Sequence, residues 1–459
     1  MNNSTRRRLR ALVQDAWQAT QLAARLVALL GCLLAALPRS SAAAEQVVAD
    51  DGQGARIVLR NTHFVLHTDV ARPAAEAMLE RMEAALKAAA KYWQREPRNQ
   101  IVCYVVADLE QWPDSALPHP LARIWIGGVG GATISEYTGA GRQTRVRATV
   151  YAIPRPGVVE HEVIHAYCYQ TFGEAGPDWY KEGMAQLVAH GSDAGGQTGC
   201  QAALVRPLAG GKSCSVQEVV QAGRFTVQMH DSCGVMLAQR SDRQRHVPLS
   251  DWKAGDAELV RAAEQHYIRS WALCHLLLHN PNYAAGFRAL GVSYVTRGRD
   301  SFDSAFAPVA KEMTFEYAFF LAHLDVGYRV DLCRWDWEKR FLPLSAGQTL
   351  GVGVEAARGY QASGLTVVAG QGYQYSTVGV WGTSAAGPTT NADGDGQGAG
   401  RLEAVVMRDY GLDAPFELGV QGAFVAATSG NLFIRCRDAW NGLHDNHGSI
   451  HVRFQMPIP

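Results

Sequence analysis

Near residue 343 the spacing of apolar residues along this chain changes, and no single packing layer accommodates both patterns. Between 257 and about 327 they recur at helical intervals, as in "YIRSWALCHLLLHN" and "FEYAFFLAHLDVGY". From 343 onward the chain breaks into short runs, "GLTVVAG", "YSTVGVWG", "LEAVVM", "FVAAT", "NLFIRCRD" and "SIHVRFQM", separated by turn signals. Such a series over roughly 110 residues predicts an all-β sandwich or barrel. The expected fold class is therefore α+β over residues 45–342, followed by an all-β sandwich over 343–459. A length of 459 residues also asks for more than one core.

The first part mixes both periods. "ARIVLRNTHFVLHTDV" (55–70) predicts one or two strands, "IVCYVVAD" (101–108) a buried strand, and "RVRATVYAI" (145–153) a half-buried strand ending at Pro154 and Pro156. "AAEAMLERMEAALKAAAKYWQRE" (74–96) predicts a helix with Met78, Met82, Leu86 and Tyr92 in its apolar stripe. Two further helices are expected, over 157–171 and 177–191, the second with Asp178 as its N-cap.

The N-terminus reads "RRRLR", then the apolar run "LVALLGCLLAAL", then "PRSSAAAE". That is the pattern of a secretory signal over 1–44, with cleavage after Ala44. The run is too short to favour a spanning helix. A lipoprotein-like box ends at Cys32, but the apolar run continues past it. The expected location is secreted, periplasmic or cell-surface, with no transmembrane segment beyond the signal. Residues 1–44 carry six of the 43 basic residues and one of the 43 acidic ones, leaving a net charge of −5 on the remainder. A nucleic-acid partner gains nothing from that balance. Export also places the other cysteines where pairing is allowed. Cys200 and Cys214 flank a Gly-rich loop and are the candidate disulfide, which would contribute about 3 kcal/mol in the chain-entropy model. Cys103 and Cys274 lie in apolar runs that predict buried thiols.

The stretch "GVVEHEVIHAYCYQTFG" (157–173) carries the chemistry. On a helix, His161 and His165 lie one turn apart on one face and can converge on one cation. Glu162 is rotated by about 100° from His161, out of easy reach as a ligand but able to reach a water on the metal. Zinc catalysis needs that division between ligands and a proton-accepting carboxylate. A third ligand is required. Cys168 is separated from His161 by about 10.5 Å of helix rise, too far for one ion. Glu174 falls in the connection between the helices. Glu182 in "WYKEGMAQ" is the better candidate, with Gly183 and Ala185 small enough for its helix to pack closely on the first.

"HEVIH" followed at this distance by "WYKEGMA" resembles the gluzincin zinc metallopeptidases, in particular the bacterial peptidase-MA-like group. The resemblance spans roughly 55–327 and rests firmly on about fifteen positions. It implies a zincin-like domain, His161, His165 and Glu182 as Zn2+ ligands, and Glu162 as general base. It also implies that the strand at 145–153 is the edge along which an extended peptide lies. Gluzincins of the aminopeptidase type carry a tyrosine on a later helix that donates to the developing oxyanion, and "YIRSWA" offers Tyr267 for that role. A core tyrosine on an amphipathic helix is the competing reading. The exopeptidase G-x-M-E-N sequence is missing, and "GGATISEY" (130–137) does not replace it, so endopeptidase action is the default.

In the second part, "LFIRCRDAWNGLHDNHGSIHVRF" (432–454) sets Asp438, Asn441, Asp445 and Asn446 in one loop between strands. Ca2+ takes oxygen ligands in number, and this loop offers them densely. Asn, Asp and Gly are also the ordinary residues of a hairpin loop. The region 350–456 resembles the bacterial galactophilic lectins, β-sandwiches that bind galactose through calcium, the matching run being "RDAWNGLHDNHGS". A first-loop tyrosine of that family is not evident in "GTSAAGP", and Asp445 stands where its members usually have Asn.

These readings make the chain an exported zinc-dependent peptidase acting on a protein or peptide, with a β domain that docks it on glycan. The alternative is a carbohydrate-binding or adhesion protein whose metallopeptidase-like domain is inactive.

Overall fold

The computed structural model describes residues 45–47, 56–128, 130–139, 145–189, 208, 215–221, 227–230, 234–239, 243–248 and 256–458. The signal-like segment 1–44, Cys200 and Cys214 lie outside these residues. The architecture is α+β, helices with several sheets. No helix among the described residues is long and apolar enough to cross a membrane.

The first sheet has six strands: β1 (Glu45–Val47), β2 (Ile57–Arg60), β3 (Phe64–Thr68), β4 (Ile101–Val105), β5 (Gly131–Thr138) and β6 (Arg145–Ala152), in the order β1-β2-β3-β4-β6-β5. β3, β4 and β6 run parallel, and α1 (Arg72–Trp93) is the crossover between the first two. Phe64 and Leu66, Ile101, Cys103 and Val105, and Ala148, Val150 and Ala152 point to one face, as strand alternation requires. Met78, Met82, Ala85, Leu86 and Ala89 of α1 cover them at helical spacing. A short helix, α2 (Ala122–Gly128), closes a smaller cluster on the opposite face with Trp112, Leu117 and Tyr151.

β5 corrects one expectation. The strand at 145–152 is internal, because β5 pairs antiparallel along its outer side from Gly131↔Ala152 to Thr138↔Arg145. The edge is therefore β5.

α3 (Val158–Phe172) and α4 (Asp178–Ala189) follow the sheet. α3 starts at Gly157, whose φ of 86° suits glycine, and whose N–H donates to Glu160 Oε2 at 2.6 Å. Gly173 ends it in the left-handed region, φ 77°. Asp178 is the first residue of α4 and not its cap; its carboxylate pairs with Lys181. Then come α5 (Val216–Gln221), a three-stranded sheet of β7 (Val227–His230), β8 (Gly234–Gln239) and β9 (Arg243–Pro248), and α6 (Asp256–His279). α7 (Ala284–Val295), α8 (Phe302–Phe306) and α9 (Ala310–Ala322) complete the helical part. A Cβ on Gly183 would lie 2.5 Å from the Ser270 carbonyl oxygen and 2.6 Å from Cys274 Sγ. The smallness of Gly183 thus serves the contact with α6, not with α3. Cys103 and Cys274 are wholly buried, and burial pushes both thiols well up from their ordinary value.

The C-terminal part is a two-sheet β-sandwich, and every strand pairing in it is antiparallel. Its strands are β10 (Thr349–Glu355), β11 (Gln361–Val367), β12 (Gly372–Gly382), β13 (Leu402–Arg408), β14 (Gly411–Leu412), β15 (Phe416–Leu418), β16 (Gln421–Val425), β17 (Gly430–Cys436) and β18 (His447–Gln455). One sheet is ordered β10-β18-β12-β16, the other β11-β17-β13-β14 with β15 also on β13. Val354, Leu365, Tyr373, Trp381, Val406, Ile434, Val452 and Phe454 fill the space between them. β13 is buried on both faces, and the one charged residue of its buried run, Glu403, accepts from Arg435 Nε at 2.7 Å and from Tyr360 Oη at 2.6 Å. Its outer face, with Tyr360, Ala362 and Phe433, packs under Trp335 and beside Phe315 and Phe319 of α9. Polar contacts reinforce this seam. Trp337 Nε1 donates to Glu316 Oε1 at 2.6 Å, and Tyr410 Oη to Glu312 Oε1 at 2.5 Å.

Candidate metal centre

α3 is buried nearly all round, since it lies between the sheet and helices α4 and α1. Polar side chains are exceptional in such a position: His161 and Glu162 are each 8% exposed and His165 7%. Burial without partners would cost several kcal/mol, on the order of 1–3 per group, so their arrangement is informative.

The short connection between α3 and α4 folds Glu182 back onto the two imidazoles. His161 Nε2 lies 2.9 Å from His165 Nε2, and Glu182 Oε2 lies 3.2 Å from the first and 3.3 Å from the second. Four-coordinate zinc, with bonds of about 2.0–2.1 Å, sets its ligand atoms about 3.3 Å apart along each tetrahedral edge. The donor set, two imidazole nitrogens and one carboxylate oxygen, therefore fits zinc in kind and in spacing. Among the described residues no other trio of His, Cys, Asp or Glu gathers in this way. Cys168 and Glu174 are not part of the trio.

Charge is distributed to keep Glu182 ionised. Burial alone would raise its carboxyl, but the neighbouring His165, hydrogen bonds from both histidines and Lys181 hold it well below the ordinary value. Burial likewise pulls His161 down, and the hydrogen bond to Glu182 with the nearby carboxylates outweighs it and raises that imidazole. Lys181 Nζ sits 3.2 Å from Glu182 Oε1, so one oxygen faces the histidines while the other is held by the ammonium. His161 Nδ1 is buried with no hydrogen-bond partner among the described residues.

Glu162 stands beside the trio and outside it. Its chain passes close over Gly131 of β5, where a Cβ would lie 3.2 Å from Glu162 Cγ. Thr133 Oγ1, two residues on, is 2.9 Å from Glu162 Oε2 and 2.8 Å from the Glu162 carbonyl oxygen. Tyr267, on α6, brings its ring 6.5 Å from that of His161. The charge of Glu182 and burial raise its phenol well above the ordinary value, so it is a proton donor at neutral pH. The sequence reading missed Thr133, Gly131 and Lys181; the alternation of Thr133 and Ser135 against Ala132 and Ile134 in "GATISEY" was the available signal.

In the β domain, the four candidate calcium residues occupy the loop between β17 and β18. Asp438 Oδ2 and Asn446 Oδ1 are buried and have no hydrogen-bond partner among the described residues. Asp445 is half-buried at the end of a single 3-10 turn, Leu443–Asp445. Asn441 is exposed, its Cβ 3.0 Å from where a Cβ on Gly327 would lie.

One solved structure, titled as the EclA N-terminal domain, a PllA-like lectin, aligns with 23% of this chain and 94% of its own at 15% identity and a TM-score of 0.20. No family model matches the chain, and no curated protein matches it.

Proposed function

We propose that this chain is an exported zinc-dependent peptidase of gluzincin type, with His161, His165 and Glu182 as the ligands. One observation carries the reading: three buried donor atoms spaced 2.9, 3.2 and 3.3 Å apart, with a second carboxylate beside them. A bound zinc supplies Lewis acidity toward the peptide carbonyl and an acidified water. Glu162, oriented from β5, takes the proton of the attacking water and passes it to the leaving amine. The Tyr267 phenol donates a hydrogen bond to the carbonyl oxygen as negative charge builds on it.

For the β domain the proposal is calcium, held through Asp438, Asp445 and Asn446, and glycan recognition on the exposed side of the same loop. Two buried oxygens without donors are what a hard cation would satisfy. A glycan array read with and without EGTA tests the sugar.

A second reading is an adhesion or carbohydrate-binding protein with an inactive metallopeptidase-like domain. The unpartnered His161 Nδ1 favours it, since metal-bound imidazoles ordinarily donate their other N–H. Purified protein lacking residues 1–44 should contain one zinc and cleave a denatured protein, and Glu162→Gln should abolish cleavage while retaining the metal. Zinc without cleavage of a broad peptide library selects the second reading.

A further inference from the structure

The loop from Asp438 to Asn446 touches both halves of the molecule: Asn446 bonds Ala356 of the sandwich, and Leu443 and Trp440 pack on the helical half. Within the loop two side-chain oxygens are orphaned. Asn446 is 6% exposed and spends its amide nitrogen on the Ala356 carbonyl at 3.1 Å, which leaves Oδ1 unmatched. Asp438 accepts from the Ala439 N–H through Oδ1 at 2.7 Å, which leaves Oδ2 unmatched. Toward the helical domain the same loop presents two apolar anchors. Leu443 is fully buried within the helical domain's core. Trp440 packs against Phe319, His323 and Tyr328 at ring separations of 5.7, 5.4 and 5.1 Å. Arg435 joins Trp440 to Asp438: its guanidinium lies 3.9 Å over the Trp440 ring and donates to the Asp438 carbonyl at 3.4 Å.

We propose that this loop is a cation-set clasp between the domains, in which calcium on the Asp438 and Asn446 oxygens and the seating of Trp440 and Leu443 form one coupled equilibrium. The inference rests on the calcium reading above and is independent of the zinc reading. Without a cation, a buried carboxylate oxygen and a buried amide oxygen lie in one short loop with no donor, a penalty relieved when the loop opens to water. A cation removes that penalty only in the closed geometry, and closure is what carries Leu443 into the helical core. Conversely, the anchored loop meets the cation already ordered. Linkage of this kind is reciprocal: each event strengthens the other by the same factor. All-oxygen donors select calcium over zinc, so the two metal sites do not compete.

The test uses the full chain without residues 1–44, titrated with calcium chloride by calorimetry and followed by hydrogen-exchange mass spectrometry. Calcium is expected to slow exchange both in 438–446 and in the helical segment 310–328, with EGTA reversing both effects. Leu443→Ala, which leaves every oxygen in place, is expected to weaken calcium binding about tenfold. If that variant does not fold, Trp440→Phe takes its place. Asp438→Asn is expected to abolish the calcium effect on both segments. Calcium binding with protection confined to 438–446, or with unchanged affinity in the anchor variant, overturns the clasp and leaves the calcium site standing. No calcium binding at all overturns both.

Discussion

Thr133→Val tests the proposed site at its least obvious member. Valine matches threonine in shape and suits a strand, so the backbone pairing of β5 is retained and the hydroxyl alone is lost. That hydroxyl has one proton and two acceptors in range, Glu162 Oε2 at 2.9 Å and the Glu162 carbonyl at 2.8 Å. A hydrogen bond to a charged group contributes about 1.5–3 kcal/mol. If that energy holds the carboxylate in its reactive orientation, its loss corresponds to about 10- to 150-fold in rate, at 1.36 kcal/mol per tenfold. The substitution touches no proposed zinc ligand, so the loss should fall on kcat, with KM within about twofold and zinc stoichiometry unchanged. Steady-state cleavage of a fluorogenic denatured protein, with zinc measured on the same samples, provides the assay. Thr133→Ser should restore most of the rate. A valine variant with wild-type kcat, or a serine variant as slow as valine, refutes the reasoning that β5 orients Glu162.

Three other outcomes are expected. Glu182→Gln removes the only anionic donor of the trio, and dialysis against a chelator should strip zinc from it at concentrations that leave the wild type loaded. Gly183→Ala places a methyl 2.5 Å from the Ser270 carbonyl oxygen; the overpacking should cost about 1–3 kcal/mol, read as a lower denaturant midpoint. Burial raises the Glu316 carboxyl from 4.5 to about 7, despite donors on Tyr283, Trp337, Asn280 and Asn282. The folded state then keeps this proton where the unfolded chain has lost it, so Glu316 makes stability fall as pH rises from about 4.5 through 7. Glu316→Gln should flatten that part of the stability–pH curve.

The parts of the site legible in the sequence are those set by helix geometry. His161 and His165 had to share a face at a spacing of four, and a short connection could only return Glu182 to their neighbourhood. What escaped depends on long-range pairing. β5 begins with a glycine and has only a weak apolar alternation, so its place outside β6 comes from cross-strand register that no local pattern encodes. Gly183 announced a close approach that was expected against α3, and α6, some ninety residues later, is the partner. The β domain was legible as short strands. The burial of β13 on both faces was not read from "LEAVVM", because Trp335 and α9, which cover its outer side, come from the other half of the molecule. The loop between β17 and β18 was read only for its oxygen ligands, and the seam role of its two large apolar residues, Trp440 and Leu443, became visible in the packing.

Leu443 also bears on the order in which the chain can mature. A residue of the last loop of the β-sandwich, between β17 and β18, completes the core of the first half. The helical half therefore lacks one piece of its packing until that loop has been made. A fragment ending near 343 would leave that place open to water.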